Sequence, residues 1–258
     1  AAIIISVFLM GAGMGLQGSA VALRASLEDF PESVVGLIMS FNYVGLILGS
    51  LVAPTIIRSV GYVRSFSAAA SLGSASAIAH ILWIDPLPWL LFRGVTGFSL
   101  SVMFVVAESW LNASSTNQNR GRLMSLYSVV YIVSMGAGQP LMKFFPPSSF
   151  EVFGITTILV SLCLLPVALM RVTGDPGVDA EPPRLIRSFQ RSPLAGAGII
   201  AAGILSGATW SLTPLYGQQV GMGSGGIGAL MFVVALGSMA LQWPLGWISD
   251  KNSRRNAI

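Results

Sequence analysis

The chain has 258 residues, of which 53% are hydrophobic and only 9% charged, against roughly 25% charged in a soluble domain. Together with a mean hydropathy of +0.76, this excludes a core wrapped in a polar surface. The net charge of +4 needs no nucleic acid to explain it, and a single Cys and a single His leave no disulfide framework, no metal site and no cofactor motif.

Eight apolar runs are long enough for a helix to cross a bilayer. They are Ala1 to Leu23, Val34 to Ile57, Ser65 to Ile84, Pro88 to Leu111, Leu123 to Met142, Phe150 to Met170, Leu194 to Tyr216 and Ile227 to Trp247. All are continuous rather than alternating and exceed the roughly 9–11 residues of a barrel strand, so the predicted fold class is all-α, a polytopic helical membrane protein. The first run is too long for a signal peptide and lacks a basic leader. The missing initiator Met suggests that the chain starts late. Cys163 falls in mid-helix on this reading, as a small buried hydrophobe.

The fourth run carries Arg93 near one end and Glu108 near the other, whereas the interiors of the other runs hold no Asp, Glu, Lys or Arg. Charges in hydrocarbon are costly, which makes both functional candidates. Fifteen residues separate them, roughly 22 Å along a helix, so they cannot pair with each other.

Loop charges set the orientation. One alternate set of loops holds Arg58, Arg64, Arg120, Arg122, Arg171, Arg184, Arg187, Arg191, Lys251, Arg254 and Arg255, eleven of the fourteen cations. The opposite set holds only Arg24 and Lys143 beside Glu28, Asp29, Glu32, Asp85 and Glu151. The first set is expected to be cytoplasmic, with the N-terminus and the long connection inside and the chain multi-pass in the inner (plasma) membrane.

That connection, residues 171–193, is broken by Asp175, Pro176, Gly177, Pro182 and Pro183. It divides an N-terminal six-helix half, residues 1–170, from two further helices in 194–258. A shift of 192 residues places Gly11 on Gly203, Gly15 on Gly207, Ser19 on Ser211, Gly36 on Gly228, Met39 on Met231 and Gly45 on Gly237. The first two helices thus recur as the last two, and a second half cut off after its second helix is expected.

The stretch Gly246, Trp247, Ile248, Ser249, Asp250, Lys251 to Arg254 and Arg255 joins a helix-breaking Gly, an acid at the membrane face and a basic cluster. It resembles the loop motif of the major facilitator superfamily, a family of repeat-built transporters. Arg93, Gly94 and Gly97 resemble that family's fourth-helix pattern, with Thr96 in place of a frequent Gln. Glu108 to Asn112 and Asn119 to Arg122 are similar to a functionally uncharacterised bacterial branch. The first-half copy of the loop departs from the motif, with Pro54 and Arg58 where Gly and Asp are usual, and keeps Gly61 and Arg64. Gly136, Gly138 and Pro140 resemble an exporter pattern interrupted by Gln139.

The resemblance implies a cavity lined by helices 1, 2, 4 and 5 and their second-half counterparts. Its polar residues are the binding or coupling candidates: Gln17, Asn42, Tyr43, Arg93, Tyr127, Tyr131, Gln139, Trp210, Thr213 and Gln242. Each has a packing alternative, a partner on a neighbouring helix. Glu108 is expected to pair with Arg58 or Arg64 in an inner gate that closes the cytoplasmic side when the cavity faces out, or else to snorkel as an interfacial carboxylate. The other Trp residues are expected in an interfacial belt, and His80 at the periphery. The implied function is secondary transport of a small solute by a monomer in the bilayer. The candidate modes are proton-coupled efflux of an amphipathic or anionic compound and proton-coupled uptake of a metabolite. The competing class is an intramembrane enzyme or receptor. A retinal receptor would need a mid-helix Lys, and an enzyme would have to build a Ser–His dyad on His80.

Overall fold

A computed structural model describes residues 2–116, 118–170 and 193–251, and the side chains of all of these except 195 and 241–251. The helices are α1 (Ala2–Leu27), α2 (Glu32–Val60), α3 (Tyr62–Leu82), α4 (Pro86–Ala113), α5 (Arg120–Ala137), a 3-10 turn (Gln139–Lys143), α6 (Phe150–Leu162), α7 (Leu164–Ala168), α8 (Pro193–Gln219) and α9 (Ser224–Lys251). Among the described residues six stretches are long and apolar enough to cross a membrane: α1 to α4, Phe150–Ala168 and Gly196–Gln219. The chain is an all-α, multi-span membrane protein. The expected central loop up to residue 192, the side chains at Gln242, Asp250 and Lys251, that stretch's Gly246, and Arg254 and Arg255 lie outside what is described.

Two expected runs are not plain helices. α5 stops at Ala137 and gives way to the 3-10 turn, because Pro140 has no N–H for the Gly136 carbonyl and its ring crowds that oxygen. The sixth run breaks at Cys163, between α6 and α7, where Pro166 cannot bond back to Leu162. Cys163 therefore sits at a kink rather than in mid-helix. It is fully buried, its thiol 3.0 Å from the Val160 carbonyl.

The turns follow local chemistry. Gly61 alone joins α2 to α3 at φ 82 and ψ 171, a conformation open to little besides glycine. Asp85 caps α4 by accepting from the Leu87 N–H at 3.0 Å, ahead of Pro86 in the first turn. Arg24 pairs with Glu28 at 2.5 Å and donates to the Ser148 carbonyl, tying the end of α1 to the loop before α6.

α1 runs against α5, α6 and α8; α2 lies along α4; α3 packs on α4 and α6; α9 packs on α5 and the 3-10 turn. In lipid there is no hydrophobic force between helices, so close packing of small residues must hold them. α2 and α4 touch through backbone: a Cβ on Gly45 would fall 2.0 Å from the Gly94 carbonyl oxygen, and one on Gly97 would fall 1.9 Å from that of Asn42.

Side chains form two cores. The one toward the basic loops contains Val7, Ile57, Phe66, Val106 and Trp110, all from α1 to α4, and closes with Tyr127 and Val167. The one toward the acidic loops contains Leu16, Ile38, Trp89, Met142, Phe153 and Ile227, with Leu215 packed against it. Among the described residues, α8 and α9 thus join only the core at the acidic-loop end. The expected tryptophan belt holds for Trp83, 58% exposed, but Trp89 and Trp110 are core. Trp89 donates its Nε1–H to the Trp83 carbonyl at 2.7 Å, and Trp110 stacks on Tyr62 at 5.6 Å. The Trp89 indole finds its acceptor within the protein and needs no interfacial water.

Candidate functional site

At mid-depth, α1, α2, α4 and α5 on one side and α8 and α9 on the other enclose a cavity of about 360 Å³. It follows from spacing that these segments meet at one level: Gly15 to Ser19, Met39 to Leu46, Arg93 to Leu100 and Tyr131 to Met135 are central stretches of their helices. Of the residues expected there, Asn42, Tyr43, Arg93, Tyr131 and Trp210 line it. Met14, Met39, Leu46, Leu100, Ile132 and Met135 supply its apolar part, and Ser and Thr hydroxyls share the rest.

Arg93 stands seven residues, about 10 Å, into α4, is 4% exposed and lines the cavity. Its Nε has no hydrogen-bond partner among the described residues, and the one ion pair among them is Arg24–Glu28. The ionisable groups that act on it electrostatically are Tyr43 and His80, neither a carboxylate. Tyr43 reaches across the cavity mouth: its hydroxyl donates to the Gly207 carbonyl at 3.2 Å and lies 3.4 Å from Ser211 Oγ. It is a polar link between α2 and α8.

The other candidates are placed elsewhere. Gln17 is fully buried behind the wall, its Nε2 donating to Thr96 Oγ1 at 3.4 Å and its Oε1 unpartnered among the described residues. Gln139 is fully buried and donates to the Gly15 carbonyl at 2.9 Å, holding the 3-10 turn against α1. Thr213 does not line the cavity. Tyr127 lies toward the basic loops, hydrogen-bonded to Glu108. Glu108 is exposed and forms no ion pair with Arg58 or Arg64 among the described residues. The Arg58 Nε instead donates to the Pro54 carbonyl at 3.2 Å, an acceptor within reach on its own helix, and Arg64 is exposed.

Thr96 is one of the polar wall residues that the sequence reading left out of the site, with Ser19, Ser206, Ser211 and Ser238. Its hydroxyl donates to the Phe92 carbonyl at 2.9 Å and lies 2.9 Å from Ser76 Oγ, linking α4 to α3. A Thr one turn after Arg93 on an i, i+3 face was the signal for it. His80, expected at the periphery, is fully buried, with Trp89 and Phe92 each 5.4 Å away. Its Nδ1 faces the Ser76 backbone carbonyl at 2.6 Å and its Nε2 has no partner among the described residues. Among the described residues no Ser hydroxyl is bonded to it, and none forms a dyad with it.

A model of the Major Facilitator Superfamily matches residues 3–258. An uncharacterised MFS-type transporter of Enterobacter sp. (strain 638) is 28% identical over 95% of this chain, and the uncharacterised MFS-type transporter YcaD of Escherichia coli O7:K1 is 29% identical over the same share. The chain spans 65% of the length of these curated relatives. Among solved structures, a D-xylose-proton symporter shares the fold at a TM-score of 0.68 and 14% identity, over 97% of this chain and 69% of that one.

Proposed function

The chain belongs to the major facilitator superfamily, and from that membership we propose that it forms the solute-binding part of a secondary transporter working by alternating access. The family is one of transporters, which speaks against an enzyme. The observation that carries the proposal is the mid-depth cavity between two helix groups whose shared core lies at one end. A site near the midplane at the junction of two rocking units is what alternating access needs. The units would be residues 1–170 and 194–258, joined by the cytoplasmic connection.

With Lys and Arg collected on the cytoplasmic side, the acidic-loop end is the outer one. Closure there by the described parts of α8 and α9 supports a state shut on the outer side. The direction we favour is proton-coupled efflux of an amphipathic or anionic compound by a monomer in the inner membrane; inward proton symport is the rival. In this reading the binding or coupling residues are Arg93, Asn42, Tyr43, Tyr131 and Trp210. Gln17, Gln139 and Tyr127 support them from behind, and Glu108 with the basic loops serves the inner side.

The test needs no substrate. Ser206 lines the cavity, and Gln219 donates to Glu32 across the outer ends of α8 and α2 at 3.2 Å. In the natural-length protein, Ser206→Cys is expected to react with an impermeant thiol reagent from either face of oriented vesicles. Cross-linking an added Glu32→Cys and Gln219→Cys pair is expected to block labelling from the outer face alone. Labelling from one face with and without the cross-link would remove alternating access. Direction follows from metabolite profiles of cells with and without the protein: loss of an exporter enriches its solute inside.

A further inference from the structure

Arg93 is the one charged side chain lining the cavity among the described residues. It is 4% exposed, and among the described residues its Nε has no partner and no carboxylate stands beside it. Glu108 on the same helix is roughly 22 Å away and is engaged by Tyr127. A buried guanidinium without a counter-charge is costly, because desolvation is not offset by any attraction. An occupant that brings the missing negative charge removes that cost.

We infer that the cavity is built for a small organic anion of single charge, whose carboxylate or sulfonate seats on the Arg93 guanidinium. The apolar remainder lies against Met39, Leu46, Met135 and Trp210. The inference rests on the transport reading and names the substrate class of that same site.

Three features narrow the class. The guanidinium offers a planar fork of donors suited to two oxygens of one acid group, and Asn42 and Tyr43 in the same wall add neutral polar groups. Among the described residues the wall holds one cation and no carboxylate, so these helices balance one negative charge and offer a cationic solute no partner. The part of the cavity they bound, about 360 Å³, has room for one ring or a short chain beside the acid group.

The experiment is equilibrium dialysis of the purified natural-length protein against radiolabelled benzoate, benzenesulfonate, phenyl phosphate and neutral benzamide. Saturable binding of benzoate or benzenesulfonate is expected, roughly 10- to 100-fold tighter than benzamide, the range of one charge-assisted hydrogen-bonded contact. Which of the two binds more tightly identifies the acid group. Phenyl phosphate is expected to bind more weakly than both. Arg93→Met is expected to abolish the preference for anions while leaving benzamide unchanged, and to melt no lower than the parent because it removes an unpaired buried charge. Should that variant fail to fold, Arg93→Lys decides: a point charge keeps the preference for anions but weakens them several-fold by losing the fork. Benzamide binding as tightly as the anions, an undiminished preference in Arg93→Met, unchanged affinities in Arg93→Lys, or no saturable anion binding would each overturn the inference. The two-sided labelling of Ser206→Cys uses no ligand, so alternating access can stand when this fails.

Discussion

Replacing Gly97 with Ala tests the backbone contact that fixes Arg93 relative to Asn42 and Tyr43. The added Cβ would sit 1.9 Å from the Asn42 carbonyl oxygen and 2.8 Å from its carbon, whereas real Cβ contacts essentially never fall below 3.0 Å. The difference of 3.0 and 1.9 means that α2 and α4 must part by at least 1.1 Å. No flexible side chain can absorb this, because the obstructing atoms are backbone. Overpacking of that kind costs about 2 kcal/mol, or roughly 4–8 °C in melting temperature for a chain of this length. Gly36→Ala on α2 is the control: nothing lies within 4 Å of its added Cβ, and Ala favours the helix by about 0.5–1 kcal/mol. Fluorescence-monitored melting of the two variants in detergent is the assay. Gly97→Ala is expected to fall well below the parent and Gly36→Ala to match or exceed it. Equal melting temperatures would refute the close α2–α4 contact and the account of how Arg93 is positioned.

Two further outcomes concern groups outside the cavity. Tyr127→Phe removes the hydroxyl bonded to Glu108; carbodiimide modification of Glu108 is expected to become faster while stability drops by about 1 kcal/mol or less, since the exposed carboxylate can take water instead. An unchanged modification rate would show that Tyr127 does not engage Glu108. His80→Phe keeps a ring in the Trp89 and Phe92 cluster, so the variant is expected to fold and to retain whatever labelling a serine-reactive probe gives the parent. Loss of that labelling would revive the enzyme reading.

Spans were legible because desolvated length is a one-dimensional property: about 20 apolar residues announce a crossing whatever they pack against. Which side of each helix meets the cavity is a rotational property, and lipid hides it. Gln17 and Asn42 both carry an amide in an apolar run, yet Gln17 is sealed against Thr96 while Asn42 lines the opening. In water a polar residue marks the outer face of a helix, but in a bilayer it marks an inner face of some kind, either solute-facing or partner-facing. Gln139 shows the second kind, since its amide serves a backbone carbonyl of α1. The kink at Cys163 was legible in principle from Pro166 and was obscured by the continuous hydropathy of the run. The pairing of Glu108 with Arg58 or Arg64, expected for the state whose cavity faces out, depends on conformation as well as on position. Sequence places all three at one membrane face, and in this conformation the Arg58 Nε donates to the Pro54 carbonyl one turn back on its own helix.

The two charges of α4 divide according to what surrounds them. Glu108 is exposed and bonded, so its charge is satisfied in this conformation. Arg93 is buried and unsatisfied. α4 is also joined to α2 through backbone contacts that leave no slack, while among the described residues α2 is hydrogen-bonded to α8 at this depth through Tyr43 alone, at 3.2 and 3.4 Å. Any rocking of α8 against the first unit must therefore break the bonds of Tyr43, and Arg93 moves with α2 rather than away from it. On the proposed seating, an anion on Arg93 shares the cavity wall with the Tyr43 hydroxyl, and one group would then serve both solute binding and the hold on α8.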